Sequence, residues 1–367
     1  VSGYLCWCRL SIFHFQRRPN YIGLFIQVWF IMFARNAALA LVLFAAPVAF
    51  GAEGTFDYNP DSDIGPSNWA NLDLEGNQCG GSENSPIAIT DLGCTIYKDY
   101  ILREGSCTVA DVDFQVTNNG VLATFKEGCE KPNLEMATKE GVFDAVQFHI
   151  HTGSEHTVNG KTFGAELHIV HLRRGCPRNT KRCYAVVGTK LNPANNFNNP
   201  LFNIFLEGWI KKHNKKEEEC GNVGDMISHD FVTDDTTLID PYQFNRDSRF
   251  FHYAGGLTTP PCSEVVWWNL DDSALAISPE QYSQLGQIIL DYKDAECKKG
   301  TLAHDGGTSR APVELNGRTV DKICPLAYKP DDSADLGNVE PEESSASTNA
   351  AVVGAITTAA NVVGQLM

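Results

Sequence analysis

The chain of 367 residues is longer than one ordinary domain requires and suits one large domain with processed or unstructured ends. Its 45 acidic against 29 basic residues give a formal net charge of −16, which argues against nucleic acid or an anionic membrane surface as the main partner. A small or neutral substrate suits it better.

Residues 1–31 contain no methionine and read as an upstream, non-native leader. From Met32 the chain runs MFARNAALALVLFAAPVAFGAEG, with Arg35 as a short positive region, an apolar run to Val48 and small residues at Ala49 and Gly51. That is the anatomy of a secretory signal peptide over 32–51. The competing reading, a membrane anchor over 21–50, is interrupted by Arg35, so no integral span is expected in the mature form. Removing the leader takes Cys6 and Cys8 from the twelve cysteines and leaves ten. An even number after a signal peptide suits up to five disulfides in an oxidising compartment, extracellular or periplasmic. None of the ten is spaced C-x-x-C, which argues against a cysteine zinc site.

The mature region, 52–326, mixes short β-like runs with Gly, Pro and Asn turns. DFQVTN, VLATF, AVQFHIH, ELHIVHL, CYAVVGTKL and EVVWWNL have alternating or short apolar patterns that predict strands. Helices are predicted over 199–216 and 279–294, the second capped by Ser278 with Pro279 at its first position. A β-rich α+β domain follows. After Pro325 the composition turns acidic and Ser-rich, so 327–367 reads as a disordered tail. Its weakly apolar end fits either a flexible terminus or a removed lipid-anchor signal with small residues near 345–347.

Half of the ten histidines fall in FHIHTGSEHTVNGKTFGAELHIVHL, residues 148–172. Asn159 and Gly160 signal a two-residue hairpin turn. An unbulged ladder from that turn places His151 opposite His168. Residues two apart share a strand face, so His149 and His151 project together with Cα atoms about 6.7 Å apart, and cross-strand neighbours lie at roughly 4.5 to 5.5 Å. Three imidazoles therefore converge, close enough to bind one metal at about 2.0 to 2.1 Å. The same parity brings Glu155 and Glu166 to that face and sends His156 and His171 to the other. Single strand histidines are mostly surface or hydrogen-bonded core residues, and His156 and His171 read that way. An H-x-H strand turned onto an E-x-H strand would instead leave several buried polar groups unpartnered without a metal. Three neutral histidines with an open fourth position describe a catalytic zinc (Zn2+) site rather than a structural one.

These residues resemble the α-class carbonic anhydrases, in the short-loop form of algal, plant and bacterial members. The likeness rests on QFHIHTGSEHTV, AELHIVH and YAGGLTTPPCSEVVWW, supported by GPSNW, ENSPIAI and RAPVELNGRTV, and spans roughly 58–320. It implies a single domain around a large, mostly antiparallel twisted central β-sheet with peripheral helices. It also implies a zinc-dependent carbonate dehydratase, a lyase that hydrates carbon dioxide reversibly to bicarbonate and a proton by zinc-bound hydroxide. By resemblance His149, His151 and His168 are the zinc ligands, and Gln147 and Glu166 hold ligand histidines in one tautomer. Thr258 orients the nucleophile and donates to Glu155. Thr259 lines the solvent side, Val170, Val186, Leu257 and Trp268 form the apolar wall for carbon dioxide, and Cys79 pairs with Cys262. Cys176 and Cys183 would close a small local loop.

Two positions depart from the family pattern. Fast members carry a proton-shuttling histidine after the NNG turn, where this chain has Val121. Valine carries no proton, so hydration is expected to depend strongly on buffer unless a group such as Tyr58 and its waters substitutes, and a histidine introduced at 121 is expected to raise turnover. Thr152 stands where animal members usually have tryptophan. The alternatives are a catalytically weak carbonic-anhydrase-like binding protein and a mineral-associated protein acting through its acidic tail.

Overall fold

The computed structural model describes residues 56–177, 180–193 and 197–329. The leader, the signal peptide and all but the first residues of the tail, with any lipid-anchor signal, lie outside them. No helix among the described residues is long and apolar enough to cross a membrane.

Short strands open the chain: β1 (Ala88–Ile89), β2 (Ile96–Tyr97) and β3 (Ile101–Arg103). They are followed by β4 (Val112–Thr117), β5 (Gly120–Phe125), β6 (Asn133–Glu135), β7 (Val142–Thr152), β8 (Thr157–Val158), β9 (Ala165–Arg173) and β10 (Tyr184–Asn192). Helix α1 (Pro200–Glu219) precedes β11 (Phe250–Gly255) and β12 (Val266–Ala276), and α2 (Pro279–Leu290) precedes β13 (Asp321–Cys324). The spatial order is β2-β13-β11-β12-β10-β9-β7-β5-β4, with β6 beside β7 and β3 outside it, an 11-stranded sheet. Its pairings are antiparallel except β10 with β12 and β13 with β2.

The long central strands are buried on both faces, which is why β9 and β10 read as nearly continuous apolar runs. One face carries Phe148, Ile150, Leu167 and Ile169 into a core closed by Phe202, Phe205 and Trp209 of α1 and Leu285 and Ile288 of α2. The other face carries Val170, Val186, Trp268 and Leu270. The second helix starts as expected, with Ser278 and Gln281 in a reciprocal capping box, and the first starts one residue later than expected, at Pro200, because the Asn199 side chain caps it by accepting from the Leu201 and Phe202 amides. The second helix stops at Leu290, four residues short of its sequence-based end, because the chain turns there into an isolated bridge between Lys293 and Lys299.

Two glycines of these helices should respond oppositely to alanine. A Cβ on Gly208 of α1 would lie 2.4 Å from the Phe114 ring of β4, whereas one on Gly286 of α2 meets nothing within 4 Å. Gly208→Ala is expected to destabilise by about 1 to 3 kcal/mol through overpacking, and Gly286→Ala to stabilise by up to about 1 kcal/mol through helix propensity. Urea unfolding of both variants checks the pair of signs.

His171 is a buried histidine of the helix-side face, as its parity predicts. Its ring stacks on Tyr242 at 5.7 Å, Nδ1–H donates to the Ala185 carbonyl and Nε2 accepts from the Tyr242 hydroxyl. Burial pushes its pKa down to about 4, against hydrogen bonding that favours the charged form. As pH falls from the unfolded value of about 6.5 towards 4, the unfolded chain gains a proton that the native fold refuses. Stability should therefore drop across that window by up to about 3 kcal/mol, with no cost above it. Metal-free His171→Gln should lack this component in unfolding measured between pH 7 and pH 4.

Candidate metal centre

The tight turn forms where Asn159 and Gly160 place it, both in the left-handed region, with Val158 and Lys161 exchanging backbone hydrogen bonds. The ladder above it is not regular. The Gly153 and Ser154 amides donate to the Gly164 and Phe163 carbonyls, so residues 155–157 face Thr162 alone and the register slips by two. His168 consequently pairs with His149, not His151, and His151 lies opposite Glu166. An even slip preserves the face, so the three imidazoles still converge, with ring centroids 4.9 to 5.0 Å apart.

Each ring has one nitrogen fixed by the protein. His149 Nδ1–H donates to Gln147 Oε1 at 2.9 Å, His151 Nδ1–H to the Thr308 carbonyl at 2.6 Å, and His168 Nε2–H to Glu166 Oε1 at 2.9 Å. The remaining nitrogens, Nε2 of His149 and His151 and Nδ1 of His168, then carry lone pairs. Two of these face each other at 3.2 Å, and the buried Nε2 of His151 has no hydrogen-bond partner. Facing lone pairs in a buried place call for a cation between them, and these ligand atoms lie close enough together to hold a metal ion. Burial holds all three histidines below the usual imidazole range, the neutral state that metal binding needs.

The bulged segment curls over Glu166, which accepts the Glu155 and His156 amides at 3.0 and 2.9 Å as well as His156 Nδ1 at 2.6 Å. Burial opposes its ionisation, but His156 and His168 hold its carboxyl well below the usual range. His156 therefore does not leave for the opposite face as simple alternation expects. It is the hydrogen-bonded core residue anticipated, but packs on Trp268 beside the centre, its Nε2 reaching the Tyr253 hydroxyl at 2.7 Å.

Glu155 is fully buried, and burial pushes its pKa up to about 7. Oε1 accepts the Arg310 amide at 3.0 Å. Thr258 lies close enough to favour its charged form, while Oε2 has no partner at full hydrogen-bond geometry. Thr258 and Thr259, both buried, sit in a loop held by the Cys79–Cys262 disulfide and by the Gln78 amide on the Pro261 carbonyl. Cys176 also pairs with Cys183. The partners that sequence left open are Cys94 with Cys324, Cys107 with Cys129, and Cys220 with Cys297.

Val170, Val186 and Trp268 register directly across β9, β10 and β12. They form one apolar row beside the row that carries His149 and His168, and Leu257 packs against the same cluster. Val121 lies opposite Ile150, 2% exposed, in the helix-side core. This removes the basis for expecting a gain from histidine there: Val121→His buries an imidazole among apolar side chains and should lower stability by about 2 kcal/mol or more. Thermal unfolding and buffer-dependent rates on one sample test it.

Sequence reasoning missed Thr308, Arg310, Tyr253 and Ser85. Arg310 Nη1 and Nη2 donate to Asn84 Oδ1 and to the Ser85 and Cys79 carbonyls. Thr308 acts through a backbone carbonyl 157 positions from its partner, which no side-chain pattern signals.

A large mixed sheet with a three-histidine centre on one face defines a class, and the comparisons name it. The sequence profile of the eukaryotic-type carbonic anhydrases matches residues 64–324, and the chain belongs to that family. Alpha carbonic anhydrase 8 of Arabidopsis thaliana is 28% identical over 248 residues, covering 67% of this chain and 58% of that protein. The chain thus spans less than two thirds of that relative. Alpha carbonic anhydrase 4 of the same plant is 30% identical over 245 residues, 65% of this chain and 79% of that one. Dioscorin dioA3 of Dioscorea japonica is 28% identical over 241 residues, again 65% and 79%. A crystal structure of dioscorin complexed with ascorbate matches in fold, with a TM-score of 0.54 at 24% identity over 74% of this chain and 98% of that one.

Proposed function

We propose that the protein is a zinc lyase that interconverts carbon dioxide and water with bicarbonate and a proton. The observation that carries this reading is the convergence of three buried imidazoles, each held through its other nitrogen by a protein group, with ligand atoms close enough together to hold one metal ion. His149, His151 and His168 would hold the ion, with Gln147, Thr308 and Glu166 fixing their tautomers. Bound there, zinc would acidify a coordinated water and so supply a nucleophile near neutral pH. Glu155 and Thr258 orient that nucleophile, and Thr259 lines the solvent side. The row of Val170, Val186 and Trp268, with Leu257, offers a neutral apolar molecule a place beside it. The proton leaves to buffer, because Val121 is buried and carries none. Five disulfides suit the secretory pathway.

A second reading, a binding protein with weak or no turnover, is favoured by the likeness to dioscorin, one of which was crystallised with ascorbate. Stopped-flow carbon dioxide hydration, with zinc determined on the same sample and buffer varied, separates the two. One zinc per chain and a rate that climbs with buffer supports the lyase. Bound zinc without hydration above the solution rate supports the binding protein, and absence of zinc overturns both roles for the histidines.

A further inference from the structure

Lys190 of β10 is a fully buried lysine, 0% exposed. Its ammonium donates to the backbone carbonyl of Asp271 and lies 5.8 Å from the Phe163 ring centroid. A buried ammonium with one neutral acceptor is costly unless carboxylates surround it.

The register says which carboxylate starts beside it on the sheet, although the ammonium itself reaches across to the Asp271 carbonyl. Lys190 pairs directly with Glu166 of β9, and Glu166 pairs on its other side with His151. Directly opposed residues leave the sheet on the same face with Cβ atoms about 4.5 to 5.5 Å apart. Glu166 is the charge that most favours the ammonium against burial, followed by Asp271, Asp272 and Asp91. The other three have partners of their own. Lys322 of β13 bridges Asp91 at 2.7 Å and Asp272 at 3.2 Å, and the Asp271 carboxylate accepts from Asn245, Ser248 and Ser273. Glu166 has four hydrogen bonds, all from the metal-centre side: two amides, His156 and His168.

We propose that Lys190 is a positioning residue of the metal centre: the buried counter-charge of Glu166, which limits how strongly that carboxylate drives His168 to donate to a bound ion. The proposal rests on the three-histidine metal reading. A carboxylate relieved of a neighbouring cation pulls harder on the Nε2 proton of His168, and the ring becomes a stronger donor at Nδ1. Loss of the cation also removes a repulsion on any metal ion nearby. Both effects have one sign. A metal should leave Lys190→Met more slowly, and the pH at which its coordinated water titrates should rise.

Cobalt(II) substituted into the full chain reports both quantities without turnover, through its visible absorption against pH and its release to a chelator. Lys190→Met should raise the spectral midpoint by about half a pH unit or more, the size expected of a unit charge acting across roughly 10 Å of partly screened protein. It should also slow cobalt release about threefold or more. Lys190→Gln, which keeps a donor for the Asp271 carbonyl, should behave alike and serves if the methionine variant does not fold. A midpoint unchanged in either folded variant overturns the proposal and makes Lys190 a counter-charge of Asp271 alone. Faster cobalt release with an unchanged midpoint assigns it to packing. A native chain that binds no cobalt fails the metal reading itself, before any variant is compared.

Discussion

His151→Ala is expected to fold, yet to lose metal affinity by more than about 100-fold, since disturbing even an outer partner of a metal ligand costs 10- to 100-fold. Nε2 of His151 is a buried ligand nitrogen with no hydrogen-bond partner, and its ring is aimed by one hydrogen bond, to the Thr308 carbonyl, and by packing on His149 and His168. Truncation removes a donor and leaves a gap that water can enter, so the centre falls to two ligands while the sheet keeps its pairing. Hydration should fall to the solution rate at micromolar zinc. The matched control is His171→Ala, which removes an equally buried imidazole from the opposite face and should keep one zinc per chain. Equilibrium competition with a chromophoric chelator measures both. Equal zinc affinity in His151→Ala and the native chain would exclude the three-histidine site.

Thr258→Ala should lower the hydration rate about 100-fold or more with zinc content unchanged. One Glu155 oxygen is committed to the Arg310 amide, and the other is buried without a partner at full geometry. The Thr258 hydroxyl lies close enough to this carboxyl to favour its charged form, and a hydroxyl that donates to a carboxylate turns its lone pairs away from it, toward the centre. On the proposed function it would then accept a hydrogen bond from the nucleophile at the metal and help to aim it towards the apolar row. Losing a single preorganised hydrogen bond of this kind typically costs about 100- to 1,000-fold. Thr258→Ser should recover much of the loss because it restores the donor. Stopped-flow rates on samples of matched zinc content decide the matter, and a Thr258→Ala rate within a few-fold of native would remove Thr258 from the chemistry.

What could be read in the sequence was local and periodic. The strands over 145–151 and 166–172, the two capped helices and the convergence of three histidines all follow from spacings within a short stretch, because side-chain direction repeats every two residues in a strand. The partner of His168 was misread because alternation cannot register two extra residues whose hydrogen bonds go to a side chain, Glu166, instead of to the ladder. The same bulge moved His156 to the centre. A strand such as β13 is not legible, since it is four residues long and its partners lie far along the chain. Thr308 reaches His151, and Arg310 reaches Glu155, through backbone groups that every residue has, so nothing in their side chains marks those two contacts.

The bulge between the metal ligands and the turn works as slack in the chain. Upstream of it, positions are dictated by β7 against β9; downstream, by the turn and by Asn159, whose amide and side chain engage Ile89 and Asp91. The positive φ of Gly160 reserves that position for glycine, while Lys161 beside it is exposed. The hairpin tip is exposed at Lys161 and Thr162 and lies outside the ligand set, so it suits an affinity handle that immobilises the protein without touching the three histidines.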